Sequence, residues 1–254
     1  MMCLINMSIE KEIFVCLDCE TTGLDVDKDQ IIEIAIAKFT FSEVLENFES
    51  LINPSCPIPE SSTAIHHITF DMVHDKPTID KVLPTVLKLV GNHTIIGHGV
   101  KFDIEVIAKA AQRFCIPTNI RNNLSLDTLR LARLYGESPV NSLQSLRKHF
   151  NIEDEGAHRA MSDVIVNVDV FKNLCRSFNR VEQVFDALSR PILMKIMPLG
   201  KHKGRLIKDI SLDYLLWAAR KEFDQDLLFS IRSEIKKRKK GNLFAQVANP
   251  FAVL

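Results

Sequence analysis

The sequence predicts an α/β protein: a mixed sheet flanked by helices, followed by a small, mainly helical basic domain. Three observations lead there. Strand-like segments come first, and strands alternating with helices follow, which is the order of a mixed sheet covered on both faces. The first apolar run, Phe14-Val15-Cys16-Leu17, ends on two acids one residue apart, Asp18 and Glu20. Charge is also divided: residues 1–180 hold 18 Lys/Arg against 24 Asp/Glu, and residues 181–254 hold 14 against 8. A net charge of zero therefore conceals an acidic body and a basic C-terminal part.

The elements follow in order. Residues 12–19 and 31–39 read as strands, with the polar turn Asp25–Asp29 between them, and 44–52 as a third. Pro54, Pro57 and Pro59 impose a loop. Residues 79–90 read as a helix that Pro84 either kinks or begins. Thr94–His98 is a short buried strand, 102–114 a helix and 124–126 another short strand. Helices follow at 127–135, 142–149 and about 159–178. Beyond a boundary near 181–191, helices at 211–221 and 225–238 make a small basic domain over 191–240. The stretch 241–254 reads as an apolar tail.

Composition sets limits. Hydrophobic residues at 46% and charged residues at 25% are ordinary for a globular chain. No apolar run approaches the ~20 residues of a membrane span, and the N-terminus lacks the pattern of a secretion signal. Cys16 and Cys19 form C-x-x-C along a strand, so they point to opposite faces. That spacing suits reduced core thiols in a cytoplasmic protein better than a metal site.

Asp18 and Glu20, two apart on a strand, share a face. Two such carboxylates repel and resist ionisation unless a cation joins them. A hard divalent cation takes oxygen ligands and carries phosphate with it. Phe102-Asp103 opens the helix after the fourth strand. Gly156-Ala-His158-Arg-Ala-Met-Ser-Asp163 then supplies a histidine suited to proton transfer and another acid.

In this order and spacing the set resembles the DnaQ-like 3′→5′ exonucleases of the DEDDh type, in the RNase H-like superfamily. Asp18-Cys-Glu-Thr-Thr-Gly-Leu24 resembles their first motif, His98-Gly-Val-Lys-Phe-Asp103 the second and His158-Arg-Ala-Met-Ser-Asp163 the third. Ile65-His66-His67-Ile68-Thr69 and Asp127–Arg133 are smaller echoes. The chain departs at Gly99, where the family usually has Asn, and at His67, where Gly is common. The similarity covers residues 12–175, within an exonuclease domain at 1–180.

The resemblance implies two Mg²⁺ or Mn²⁺ ions. Asp18, Glu20 and Asp163 would hold one, and Asp18 with Asp103, through water, the other. It implies His158 as general base and Thr21, Thr22, Gly23, Leu24 and His66 around the terminal nucleotide. Phe102 would either stack on a base or belong to the core. Met197–Ile207 and Asp213–Trp217 look like the small C-terminal domain of exodeoxyribonuclease X type enzymes. There, Lys201, Lys203 and Arg205 either contact nucleic-acid phosphates or are solvated, with Tyr214 and Trp217 in the core.

The expected function is hydrolysis of terminal phosphodiesters of single-stranded or frayed 3′ DNA ends, releasing nucleoside 5′-monophosphates in repair or proofreading. The alternatives are an RNA-trimming exonuclease and a non-catalytic module bound to a polymerase. Candidate partners are the replication machinery and a sliding clamp, through Gln225–Phe229 or Asn242–Phe244.

Overall fold

The structure, a computed structural model, describes residues 8–136, 140–153 and 159–247, with side chains through Lys239. The chain divides after Ala187 into two compact units.

In the first unit, among the described residues, five strands form one mixed sheet. They are β1 (Phe14–Thr21), β2 (Ile31–Phe39), β3 (Val44–Leu51), β4 (Thr94–Gly97) and β5 (Ser125–Asp127), in the order β3-β2-β1-β4-β5. The β1–β2 and β2–β3 pairs are antiparallel, and β1–β4 and β4–β5 are parallel. The helices are α1 (Glu60–His66), α2 (Phe70–Val73), α3 (Ile79–Val90), α4 (Lys101–Arg113), α5 (Thr128–Tyr135), α6 (Leu143–His149), α7 (Ala160–Leu174) and α8 (Val181–Leu188).

Strand alternation assigns the two faces. Val15, Leu17 and Cys19 of β1 join Ile34 and Ile36 of β2 in one apolar layer with α3 and α4. Phe14, Cys16, Asp18 and Glu20 alternate with these residues, as a period of two requires. On that second face Phe171 of α7 packs edge-on to Phe14 and Phe39, at centroid distances of 5.1 and 6.1 Å. Cys16 and Cys19 are buried and free, each on its own face. The α7 face is therefore apolar at one end of β1 and acidic at the other.

Three helices occupy stretches that periodicity left as loop or boundary. Pro59 precedes α1 with extended backbone, so the prolines that stop the third strand also open a helix start. α2 is a single turn. α8 lies inside the expected boundary and buries Val181 and Val184 at i, i+3 spacing. Pro84 lies within α3, on its exposed side, where water can satisfy the carbonyl left without an amide partner.

The second unit contains α9 (Leu212–Ala218) and α10 (Gln225–Val247). Its core gathers Met197, Ile207, Ile210, Leu215, Leu227 and Ile231. Two expectations are corrected here. Trp217 is 50% exposed rather than a core residue, while Tyr214 is partly buried against the core. The helix α10 runs through the basic cluster to Val247, so the first residues of the expected tail are helical. The remaining tail residues, 248–254, lie outside the described residues. No described helix is long and apolar enough to cross a membrane.

Candidate active site

β1 carries Asp18 and Glu20 to its C-terminal end on the face that α7 covers. Asp18 lies opposite Ala35, whose small side chain leaves room, and Glu20 lies opposite Glu33. Asp163 stands in the first turn of α7, where an acid also suits the positive end of the helix. One oxygen from each of Asp18, Glu20 and Asp163 lies within 4.8 Å of the others, the one such cluster among the described residues.

Asp103, buried in the first turn of α4, reaches the same strand from the other side. Its Oδ1 accepts the Cys19 N–H at 3.1 Å. It stands beside the three-acid cluster rather than within it.

Burial first, then mutual repulsion, sets the charge state of these acids. The Asp18 carboxyl is pushed well above the usual carboxylate range by desolvation and then by Asp103, Glu20, Asp163 and Glu33, all acids. Burial and neighbouring Asp163 and Glu33 raise Glu20 to about 7. Asp103 is raised to about 7, chiefly by burial, against the opposing effect of the Cys19 N–H bond. A divalent cation with oxygen ligands resolves this repulsion, so the residues present fit a metal.

What places Asp163 is a contact that motif reading missed. Glu33, 2% exposed, accepts two hydrogen bonds from Arg159, at 2.9 Å from Nε and 2.6 Å from Nη2. Its other oxygen accepts the Ala160 N–H at 3.0 Å. Arg159, the residue before α7, provides no side-chain cap, so Glu33 satisfies this orphan donor from across the sheet. The signal was legible: Glu33 is the one acid in the apolar run Ile31–Ala37, at the position facing Glu20.

A second buried network ties α7 to the sheet farther along. His98 Nδ1 lies 3.0 Å from Thr128 Oγ1, and Thr128 Oγ1 lies 2.6 Å from Asn167 Oδ1. The Asn167 amide contacts Cys16 Sγ at 3.5 Å. Asp127 Oδ1 caps α5 through Leu129 N–H at 2.9 Å and accepts the Gly99 N–H at 3.0 Å.

The loop after β1 is shaped by Asp29. Its carboxylate accepts from Thr22 Oγ1 at 2.8 Å and from the Asp25 N–H at 2.8 Å. A side chain on Gly23 would meet that carboxylate at 2.5 Å. The Thr22 hydroxyl, which also accepts the Gln30 N–H, and Gly23 thus serve the loop's shape. The Thr21 hydroxyl likewise donates to the Gly23 carbonyl at 2.6 Å. Leu24 projects from this loop, 86% exposed. Ser62 of α1 donates to the Thr22 carbonyl at 2.7 Å.

His66 is buried, with Nδ1 accepting the Ile68 N–H at 3.0 Å. Burial holds its pKa below the ordinary histidine value. Phe102 packs, partly buried, against the α3–α4 side of the core. His158 lies outside the described residues.

The two departures from the family pattern share one backbone explanation. Gly99 has φ +87°, a conformation that glycine adopts freely and asparagine tolerates. His67, the C-cap of α1, sits in the left-handed region at φ 60°, where glycine is the easiest residue.

The cations expected of the second unit lie on a hairpin-like loop. The Met197 N–H donates to the Arg205 carbonyl and the Gly204 N–H to the Met197 carbonyl, each at 2.9 Å. Lys201, Lys203 and Arg205 are exposed.

Comparison with known proteins agrees with this geometry. The exonuclease family model, RNase T, matches residues 15–171. A second family, whose description as a quorum-sensing-regulated virulence factor is itself provisional, matches residues 187–237. The chain is 35% identical over 159 residues to DNA polymerase III subunit epsilon of Aquifex aeolicus, covering 62% of this chain and 78% of that protein. It is 33% identical over 174 residues to the PolC-type DNA polymerase III of Clostridium perfringens, covering 68% of this chain but only 12% of that polymerase. Among solved structures, exonuclease X in complex with 5′ overhanging duplex DNA has a TM-score of 0.56 at 26% identity, covering 68% of this chain and 98% of that one. Escherichia coli exonuclease I in complex with a dA16 oligonucleotide shares the fold, with a TM-score of 0.59 at 23% identity over 70% of this chain and 43% of its own. The chain belongs to the exonuclease family, as a DnaQ-like 3′→5′ member with the RNase H-like fold.

Proposed function

We propose that this chain removes nucleotides from the 3′ ends of DNA as nucleoside 5′-monophosphates, in repair or proofreading. The observation that carries the reading is the gathering of Asp18, Glu20 and Asp163 oxygens within 4.8 Å at the end of β1. Support for DNA as substrate comes from relatives named as polymerase III subunits and from structural neighbours titled with DNA.

Asp18, Glu20 and Asp163 would hold one Mg²⁺ or Mn²⁺, and Asp18 with Asp103 would hold a second. When bound, such a pair lowers the pKa of the attacking water and stabilises the attacking and leaving oxygens. His158 takes the proton of that water at an imidazole nitrogen. The backbone of Thr21–Gly23 receives the terminal 3′-OH, and Leu24 wedges against the last base. Glu33 and Arg159 act one step back, by holding the start of α7.

Cytoplasmic residence and association with a replicative polymerase belong to the same reading. A sliding clamp is a weaker partner. Clamp-binding peptides dock extended, whereas Gln225–Phe229 is the first turn of α10, with Asp226 and Leu227 buried. Asn242–Phe244 is helical too.

The test is digestion of 3′-labelled single-stranded DNA, duplex DNA, mismatched-end DNA and RNA, with Mg²⁺, Mn²⁺ or EDTA. We expect metal-dependent release of mononucleotides, fastest from single-stranded and mismatched DNA ends. Preference for RNA would transfer the reading to RNA trimming. Absence of hydrolysis with every substrate and metal would leave a binding module.

A further inference from the structure

The second unit carries a line of aromatic rings that the proposed chemistry does not use. On α9, Tyr214 and Trp217 are three apart and share a face. Leu215 and Ala218, about 100° further round the helix, are fully buried. Helical periodicity therefore turns the two rings away from the deepest part of the core. The tip of the hairpin-like loop brings a third ring to them. Gly200 and Gly204, at φ +70° and +83°, allow the reversal. A side chain on Gly200 would lie 3.4 Å from the Tyr214 hydroxyl, so the tip already sits close against α9.

The resulting row is continuous. Arg205 Nη1 lies 3.4 Å from His202 Nδ1. The His202 ring packs edge-on to Tyr214 at 4.3 Å between centroids, and Tyr214 lies 5.2 Å from Trp217. Lys221 Nζ stands 5.1 Å from the centre of the Trp217 ring. Three rings run between two cations. Beside them a shallow hollow of about 320 Å³ is lined by Asp213, Leu216, Trp217, Arg220 and Lys221.

We propose that this row is a nucleic-acid site separate from the carboxylate cluster: His202, Tyr214 and Trp217 stack on unpaired bases of single-stranded DNA while the flanking cations meet its phosphates. It extends the phosphate contact expected of Lys201, Lys203 and Arg205, and it needs no hydrolysis.

The chemistry favours this occupant over others. A half-exposed tryptophan in a row of rings is a surface meant to be covered. Aromatic rings interleaved with cations are the components of sequence-tolerant single-strand binding: every base has a face to stack, and every nucleotide a phosphate. Duplex DNA hides those faces. A quaternary ammonium ligand, the other common guest of aromatic rings, would be repelled by Arg205, Arg220 and Lys221. An apolar peptide would gain nothing from them. Lys221 does not block the site. An exposed ammonium over a ring is weakly held, and a phosphate attracts it more strongly than the ring does.

Trp217 is the chain's single tryptophan, so its emission reports on this row alone. The full-length protein is titrated in EDTA with a short oligothymidylate, with an abasic oligomer of equal length, and at several salt concentrations. We expect saturable quenching by oligothymidylate, weakening as salt rises, and little quenching by the abasic oligomer. By anisotropy of the labelled oligothymidylate, Trp217→Leu and Tyr214→Leu should bind about tenfold or more weakly, and Trp217→Phe should restore most of the affinity. Circular dichroism checks that the variants fold. Equal quenching by the abasic oligomer, unchanged emission at saturation, or wild-type affinity in both leucine variants would overturn the proposal. A protein that quenches but cleaves nothing keeps the aromatic site and loses the nuclease reading. One that cleaves with Trp217 indifferent does the reverse.

Discussion

Glu33 on β2 and Arg159 at the start of α7, 126 residues apart in the chain, form a two-bond contact at 2.6 and 2.9 Å that sets where Asp163 begins its helix. Glu33 is buried and Arg159 is half-exposed, so the pair is asymmetric: water can receive the guanidinium but not the carboxylate. Glu33 also faces Glu20 across the β1–β2 ladder. Without Arg159 it would add another buried negative charge to a site already crowded with them.

Glu33→Gln should therefore weaken the site at a distance. The ion pair with Arg159 is lost and an amide NH2 is set against either Arg159 or the Ala160 N–H, at a cost of about 1.5–3 kcal/mol. Residues that orient metal ligands typically change metal affinity or activity about 10–100-fold. Thermal melting and Mg²⁺ titration of turnover measure both. Wild-type melting together with wild-type turnover would show that α7 is held by other contacts.

Asp18→Asn and Asp163→Asn should abolish hydrolysis and raise the melting temperature in EDTA, because each removes a member of a repelling set. His158→Ala should instead slow turnover about 10²–10⁴-fold while leaving metal binding intact. Calorimetric metal titration separates the two classes. Loss of Mg²⁺ affinity in step with rate in His158→Ala would make that histidine a ligand.

The raised acids also predict the sign of a pH dependence. Glu20 and Asp103 titrate near 7 in the folded protein but near the usual carboxylate value when unfolded, so the folded state holds more protons between those values. Stability of the metal-free protein should then fall as pH rises from about 4.5 to about 7 and level off above. Metal binding must displace those protons, so proton release measured in buffers of different ionisation enthalpy should be larger at pH 6 than at pH 8. A metal-free melting temperature that rises across this interval would refute the assignment.

His67→Gly should stabilise the fold by about 0.5–1 kcal/mol, since relief of the left-handed strain at φ 60° outweighs the extra unfolded-state freedom of glycine. Gly99→Asn should be tolerated and Gly99→Val should not, given φ +87° there. Denaturant midpoints for the three variants rank them directly. Gly99→Val with the wild-type midpoint would contradict the backbone explanation.

The sequence by itself put Asp18 and Glu20 on one face, through the alternation of β1. That is a periodicity of two residues, and it survives without knowing what packs on what. Asp103 and Asp163 were joined to them only by the resemblance of their motifs to a known family. Only the tertiary structure decided what holds the acids in place. The Glu33–Arg159 pair and the Asp103 bond to the Cys19 N–H, across 126 and 84 residues, depend on distant segments arriving together. The same holds for the second unit. Helical spacing alone put Tyr214 and Trp217 on a common face, but whether that face is core or surface depended on Leu215 and Ala218 taking the interior. Burial is a property of the whole packed chain, so a pattern of spacings leaves it open.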